Sequence, residues 1–208
     1  MSNLSHHAFF LSALMLCVML ISGSNQALQS ALARESVLTG QLLVATERMR
    51  DPRFAETVIY IVEHDGNGAF GLIVNQPHAE GPISALLGKF GLKHDDVFGD
   101  ITVHYGGPVD SGMAFILHSP EYIIEGTLVV DELIALTSKP EVLRDIGIGK
   151  GPRRSLLAFG YSGWGPGQLE GEVRRGDWLM INFDPEIVFG PNPAAKWRHA
   201  IDVGGGFI

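Results

Sequence analysis

Cysteine is nearly absent: in 208 residues the single thiol is Cys17, inside an N-terminal apolar run. Beyond it the chain cannot form a disulfide, offer a cysteine-based zinc site or use a thiolate nucleophile. Charge is sparse as well, at 18% of residues, and 15 lysines and arginines are outnumbered by 23 aspartates and glutamates. The formal charge of −8 repels a phosphate backbone. The basic pairs Arg153-Arg154 and Arg174-Arg175 are too short to override that field, so direct DNA binding is disfavoured. The longest apolar run, Ala8 to Ile21, is short for a membrane-spanning helix. Repeats, low-complexity tracts and linkers are missing after residue 36, which leaves one domain, 37–208, long enough for a sizeable core.

What is present begins with Ala8 to Ile21, "AFFLSALMLCVMLI", the right length for the apolar core of a signal peptide. Ala31-Leu32-Ala33 supplies a small-x-small cleavage candidate, and the first charges are Arg34 and Glu35. Residues 1–36 are read as a signal-peptide-like leader, which would place the domain in the periplasm with membrane contact only through this segment. Met1 to His7 holds no lysine or arginine. That leaves an uncleaved anchor, or a cytoplasmic protein with a start assigned too far upstream, as the alternatives.

Glycine is abundant, at 26 residues, with 11 prolines, and both punctuate short apolar runs. "LTGQLLVAT" (38–46) and "TVIYIVEH" (57–64) read as strands, the second β-branched and buried on both faces. Between them Asp51-Pro52 reads as an N-cap and first helical position for a short turn of helix through Glu56. "DGNG" (65–68) carries hairpin-turn chemistry, returning as "AFGLIVNQ" (69–76). Residues 83–91 read as a helix, and "DITVHY" with "GMAFILHS" as a strand pair around Gly106-Gly107-Pro108. Pro140 to Ile146 suggests a small helix and "SLLAFGYSGW" (155–164) a core strand. Pro166 to Arg174 is a helix with acids early and arginines late; "DWLMINF" (177–183) and "PAAKWRHAI" (193–201) close the chain as strand and helix. Hairpins without βαβ alternation predict an α+β domain with a largely antiparallel, curled sheet.

The glycine-rich stretch "AFGYSGWGPGQLEGEV" (158–173) poses the chemical question. A nucleophile elbow needs G-x-S-x-G, and Trp164 stands where the last glycine must be, so Ser162 is not assigned a catalytic role. Gly163, Gly165 and Gly167 alternate as G-x-G-x-G, not the dinucleotide fingerprint G-x-G-x-x-G. "GIGKGP" (147–152) lacks the serine or threonine of a phosphate-binding loop. The stretch is a rigid turn that launches a helix. His64, His104 and His118 each end an apolar run without metal-ligand spacing, so no metal or cofactor is implied.

Three blocks in order carry a family likeness: residues 38–77, "HYGGPVDSGMAFILHS" (104–119) and "GYSGWGPGQLEGEVRRGDWL" (160–179). The chain from Leu38 to about Gly204 resembles the AlgH/YqgE family of bacterial proteins. The resemblance implies an antiparallel, bifurcated sheet curled into a pseudo-barrel with helices packed outside. It implies no agreed activity, and the transcriptional-regulator label that some members carry rests on no DNA-binding motif. Asp51, Pro52, Gly71, Gly106, Gly107, Pro108, Gly163, Gly165 and Gly167 match the family pattern and read as structural. Thr46-Glu47 departs from the small-plus-proline pair usual before "DP".

The leading functional reading is a non-catalytic binding or regulatory module for an unknown protein or small-molecule partner. Its groove is expected to gather His64, Asn75, His118, Tyr161, Trp164 and Gln168, with aromatics supplying area and amides direction. The rival is a hydrolase-type enzyme with His64 or His118 as general base and Asp51 nearby. It requires those side chains to converge in one concave pocket.

Overall fold

Ten strands and five helices make up the described part of the chain, residues 38–205 of a computed structural model. The leader expectation lies outside the described residues. The strands are β1 (Leu42–Ala45), β2 (Val58–Asp65), β3 (Gly68–Ile73), β4 (Pro77–Pro82), β5 (Asp100–Tyr105), β6 (Val109–His118), β7 (Leu128–Val129), β8 (Ala135–Thr137), β9 (Ser155–Trp164) and β10 (Trp178–Ile181). The helices are α1 (Ile83–Lys89), α2 (Glu141–Gly147), α3 (Gln168–Arg175), α4 (Pro185–Phe189) and α5 (Pro193–Val203). Among the described residues no helix is long and apolar enough to cross a membrane.

The main sheet runs β10-β1-β2-β3-β9-β6-β8-β7, with β4 and β5 branching off β9. Its apolar pattern explains why it curls. On β2, Val58, Tyr60 and Val62 join one core cluster while Ile59 and Ile61 join another on the opposite face. β1 divides likewise, Leu42 and Val44 from Leu43 and Ala45. A strand with no polar face must be covered twice. Three helices cover one side: Leu169 of α3 sits over the β1–β3 half, and Ile83, Leu87, Val142 and Leu143 of α1 and α2 over the β6–β9 half. The other side holds one cluster shared by both halves, with Ile187 and Val188 of α4 and Ala200 and Ile201 of α5. The result is the antiparallel half-barrel the sequence implied, with two of its five helices packed on the shared inner cluster.

The branch point is where the sequence reading needs correction. Gly106-Gly107-Pro108 does not close a hairpin, since β5 and β6 never pair with each other. Both pair with β9, β5 in parallel (Tyr105 opposite Phe159) and β6 antiparallel (Ala114 opposite Phe159). Beyond residue 160, β9 exchanges β5 for β3, with Ser162 opposite Gly71. The two glycines carry the chain across this junction at contact distance. A Cβ on Gly106 would overlap the Gly160 carbonyl, and one on Gly107 the Tyr161 backbone. The Gly106 N–H donates to Phe159 (2.8 Å), and its carbonyl accepts from Ile73 (2.9 Å), so the crossing also stitches β9 to β3.

The expected helix at Asp51–Glu56 is a series of turns. Asp51 Oδ1 accepts from the Arg53 N–H two residues on, at 3.0 Å, the Asx-turn alternative to an N-cap. Glu56 then adopts φ 55°, which a right-handed helix cannot continue. Asn75 holds that turn: its Nδ2 donates to the Glu56 carbonyl (2.9 Å) and its Oδ1 accepts from Val58 N–H (2.8 Å).

Lys196 is the one buried lysine of the described residues. Its Nζ donates to the carbonyls of Val74 (3.1 Å) and Val188 (2.8 Å), tying α5 to the residue that follows β3 and to α4.

Two expectations follow. Gly106→Ala should destabilise the fold by more than about 3 kcal/mol, because backbone rather than a movable side chain meets the new methyl. Gly81→Ala, with open space around it, should lie within about 0.5 kcal/mol of the native chain; urea unfolding of both decides, and a stable Gly106→Ala refutes the close crossing. Burial lowers the Lys196 ammonium from 10.5 to about 8, so between those values the unfolded chain binds more protons and stability rises with pH. The penalty is full below about 8. Measured against Lys196→Met, which removes the titration, the native chain should gain about 3 kcal/mol across that window. A pH-independent difference would refute the buried ammonium.

Candidate functional site

α3 is short and strongly two-sided. Leu169 is buried against the sheet, while Glu170 and Glu172 point to partners on the strands beneath. Gly167 and Gly176, both left-handed (φ 72° and 77°), start and stop the helix within eight residues. The preceding turn, Gly165 to Gly167, is closed by the Gln168 side chain, whose Oε1 accepts from the Gly165 N–H at 3.2 Å.

Glu172 is the hub of this corner, and no sequence motif pointed to it. Its Oε2 accepts both indole N–H groups, from Trp164 (2.8 Å) and Trp178 (2.9 Å), and its Oε1 accepts from Gln168 Nε2 (3.0 Å). The rings meet edge to face at 6.2 Å, and Phe54 meets Trp178 in the same manner at 5.8 Å. Trp164 and Trp178 are only 7% and 3% exposed. One carboxylate therefore satisfies two nearly buried donors that would otherwise each cost a hydrogen bond's desolvation. The signal available in sequence was the i, i+4 spacing of Gln168 and Glu172 beside a tryptophan, which propensity alone does not distinguish from a solvated helix face.

A cleft of about 940 Å³ opens in front of this corner. Trp164, Gln168 and Glu172 form one wall, the 47–54 loop a second, and Pro108 and Val109 a third. Four arginines line it: Arg48, Arg50, Arg53 and Arg175. Two are neutralised. Asp51 grips Arg53 through both oxygens (Nε 3.0 Å, Nη2 2.6 Å), which holds the Asp51 carboxyl below its ordinary range, and Asp177 takes Arg175 (Nη2 2.7 Å). Among the described residues the guanidiniums of Arg48 and Arg50 have neither an ion pair nor a hydrogen bond. Their loop is nonetheless held in place, because Thr46 Oγ1 accepts from Arg48 N–H (3.1 Å) and donates to the Gly176 carbonyl (2.6 Å).

The third wall comes from an irregularity. Val109 opposes Tyr161 but Ala114 opposes Phe159, so β6 spends extra residues there and 110–113 bulge outward. Asp110 sits at φ 48°, an uncommon conformation for a residue with a side chain. Bulges of this kind recur beside binding sites, where they re-aim side chains. Val109 and Met113 remain 38% and 41% exposed.

The six residues expected to share one groove do not do so. Trp164 and Gln168 line the cleft. His64 lies beneath α3, its Nε2 2.9 Å from Glu170 Oε1 and its backbone N–H on Thr39 Oγ1. Asn75 locks the Glu56 turn. Tyr161 packs on Phe70 (5.0 Å) and Phe115 (6.0 Å) in the inner cluster. His118, fully buried, uses Nδ1 on the Ser119 carbonyl (3.0 Å) and sets its ring against Tyr122; burial lowers its pKa. The hydrolase arrangement is likewise not assembled, for Asp51 is held by Arg53 and neither histidine reaches it. Ser162 is fully buried and donates to the Gly106 carbonyl at 3.3 Å. Of the structural glycines, Gly71 is crowded by the Tyr60 carbonyl and Gly163 lines the cleft.

Replacing Glu172 by leucine should cost about 2–4 kcal/mol, since two nearly buried indole donors lose their acceptor. Urea unfolding with near-ultraviolet circular dichroism checks this. A loss under about 0.5 kcal/mol would show that the indoles re-pair and that Glu172 is no hub.

Comparison with known proteins places the chain. The AlgH-like family model matches residues 42–207. A UPF0301 protein of Rhodospirillum rubrum is 44% identical over 167 residues, covering 80% of this chain and 87% of that one. Another from Jannaschia sp. is 43% identical over 166 residues, covering 79% and 86%. The solution structure of the AlgH protein from Pseudomonas aeruginosa superposes with a TM-score of 0.69 at 34% identity, covering 82% of this chain and 90% of that one. A crystal structure from Corynebacterium diphtheriae shares the fold at a TM-score of 0.61 and 19% identity, covering 79% and 85%. By the family match over residues 42–207 and these relatives, the chain belongs to the AlgH-like family.

Proposed function

We propose that this domain is a non-catalytic binding module and that the cleft in front of α3 is its recognition surface. One observation supports the reading above the others. The cleft wall is pre-organised by groups that satisfy one another, Glu172 with two indoles and Gln168, while the loop opposite presents, beside its own Asp51–Arg53 pair, two guanidiniums, Arg48 and Arg50, with no partner among the described residues. A wall whose polar groups are already paired can hold its shape without a ligand, which lowers the cost of binding one. A volume of about 940 Å³ falls within the range of small-molecule sites. The groups that chemistry would need lie elsewhere and are shut away from the cleft: the Ser162 hydroxyl is buried on a carbonyl, and the His118 ring is fully buried, with Nδ1 on the Ser119 carbonyl and Nε2 unpaired among the described residues.

The test is heteronuclear NMR on the full-length protein titrated with a polar metabolite extract, followed by mass spectrometry of whatever is retained. Amide shifts should concentrate in 47–54, 108–113 and 163–172, and the retained species should be recovered unchanged. Shifts confined to other surfaces would reject the cleft, and conversion of the retained species to a product would reject the non-catalytic assignment.

A further inference from the structure

We propose that the cleft takes a small organic anion, a carboxylate or phosphate ester with an apolar or aromatic body, and that Arg48 and Arg50 are the residues that hold its charge. The inference rests on the cleft reading and adds the chemical class of the ligand.

Charge pairing across the cleft carries the argument. Acids are not scarce there: Glu47, Asp51, Glu172 and Asp177 line the same walls as the four arginines. Yet the carboxylates are distributed unevenly. Asp51 and Asp177 are each committed to an arginine two residues away in sequence, and Glu172 is saturated by two indoles and an amide, so Glu47 is the one cleft acid without a partner among the described residues. Against it stand Arg48 and Arg50, with five donors each and no acceptor among the described residues, on a loop whose backbone is pinned to the end of α3 by Thr46. A guanidinium presents a planar fork that fits carboxylate and phosphate oxygens two at a time. Two such forks on one fixed loop, lining the same cleft as Trp164, form an anion site in a chain whose overall charge is −8.

The size and character of the anion follow from the surroundings. The negative field of the whole domain disfavours long polyanions, whose charges extend beyond the local positive patch, while a small anion feels mainly the nearby guanidiniums within a Debye length. Behind the arginines, Trp164, Phe54 and Met49 line the cleft with apolar surface. A ligand with one charged end and one apolar or ring-bearing end meets both, the head on the arginines and the body on the wall.

The experiment uses full-length protein, wild type and the variants Arg48→Gln, Arg50→Gln and the double replacement. Three probes are titrated by NMR and calorimetry: phenyl phosphate, phenylacetate and phenol. The two anions should shift the Trp164 indole N–H and the 48–54 amides, and salt should weaken them. Each replacement should reduce their affinity about tenfold without moving the thermal midpoint. Comparing phenyl phosphate with phenylacetate identifies which oxyanion the forks prefer. Phenol binding as tightly as the anions, or anion affinity unchanged in the double variant, would overturn the charge assignment while leaving the cleft as a binding surface. Failure of either anion to shift the cleft at millimolar concentration would overturn the anion class as well. A perturbation confined to other surfaces would count against the anion and the cleft together.

Discussion

Everything in this domain depends on one backbone crossing. β9 can serve β5 and β6 along its first half and β3 along its second only because the chain at residues 106–107 passes it at a distance no Cβ allows. A Cβ at Gly106, Gly107 or Gly160 would each meet backbone, not a side chain that could swing aside. Gly160 itself is left-handed, φ 70°, which lets β9 turn from one partner to the next without breaking. From that junction the two outer faces diverge, one covered by α1 and α2 and the other by α3. The cleft is then the space left between α3, the 47–54 loop and the segment leaving the crossing.

Buried polar groups settle the remaining geometry. Asn75, Lys196 and Glu172 each tie separate elements together, Lys196 across 122 residues to Val74 and Glu172 to the strands on either side of its own helix, and each has at least two partners. None of these is a strong bond in isolation, since net hydrogen-bond stabilisation is about 1 kcal/mol. Their weight lies in the cost of leaving them unmade. This is why the loop beside the cleft can be irregular and still fixed: Asn75 holds its far end at Glu56 and Thr46 its near end at Gly176.

Much of the sheet was legible because its strands are buried on both faces. "TVIYIVEH" and "SLLAFGYSGW" are continuous apolar runs since each feeds two clusters, and such runs announce themselves. β4, "PHAEGP", is almost wholly exposed and rests on backbone pairing with β5 alone, so it left no pattern to read. The two-residue β7 and the five-residue α4 are likewise too short to show a period. The false hairpin at Gly106-Gly107-Pro108 has a different origin. Turn chemistry reports that the backbone is permissive, and a crossing against a third strand uses the same permissiveness as a reversal. At the site, Trp164 and Gln168 were legible as an aromatic and an amide beside a glycine turn. Arg48, Arg50 and Glu172 were not, because their meaning is a matter of who is paired with whom: Asp51, Asp177 and Glu172 each have several nearby residues they could pair with, and which they take is decided by the folded geometry, not by spacing.

The same glycine-rich corner that suggests a nucleophile elbow excludes one on physical grounds. An elbow works by strain that pushes its serine out of the sheet, whereas here Ser162 remains within a paired strand, opposite Gly71, its hydroxyl turned into the junction. The left-handed positions lie instead at Gly160, two residues earlier, where glycine adopts that conformation without penalty, and at Asp110 on the neighbouring bulge. Neither opens a hydroxyl to solvent. The register shift at 110–113 leaves Val109 lining the cleft. The distortion thus shapes a wall of the cleft instead of exposing a hydroxyl, and it is on that wall and the two guanidiniums opposite that the proposed recognition surface rests.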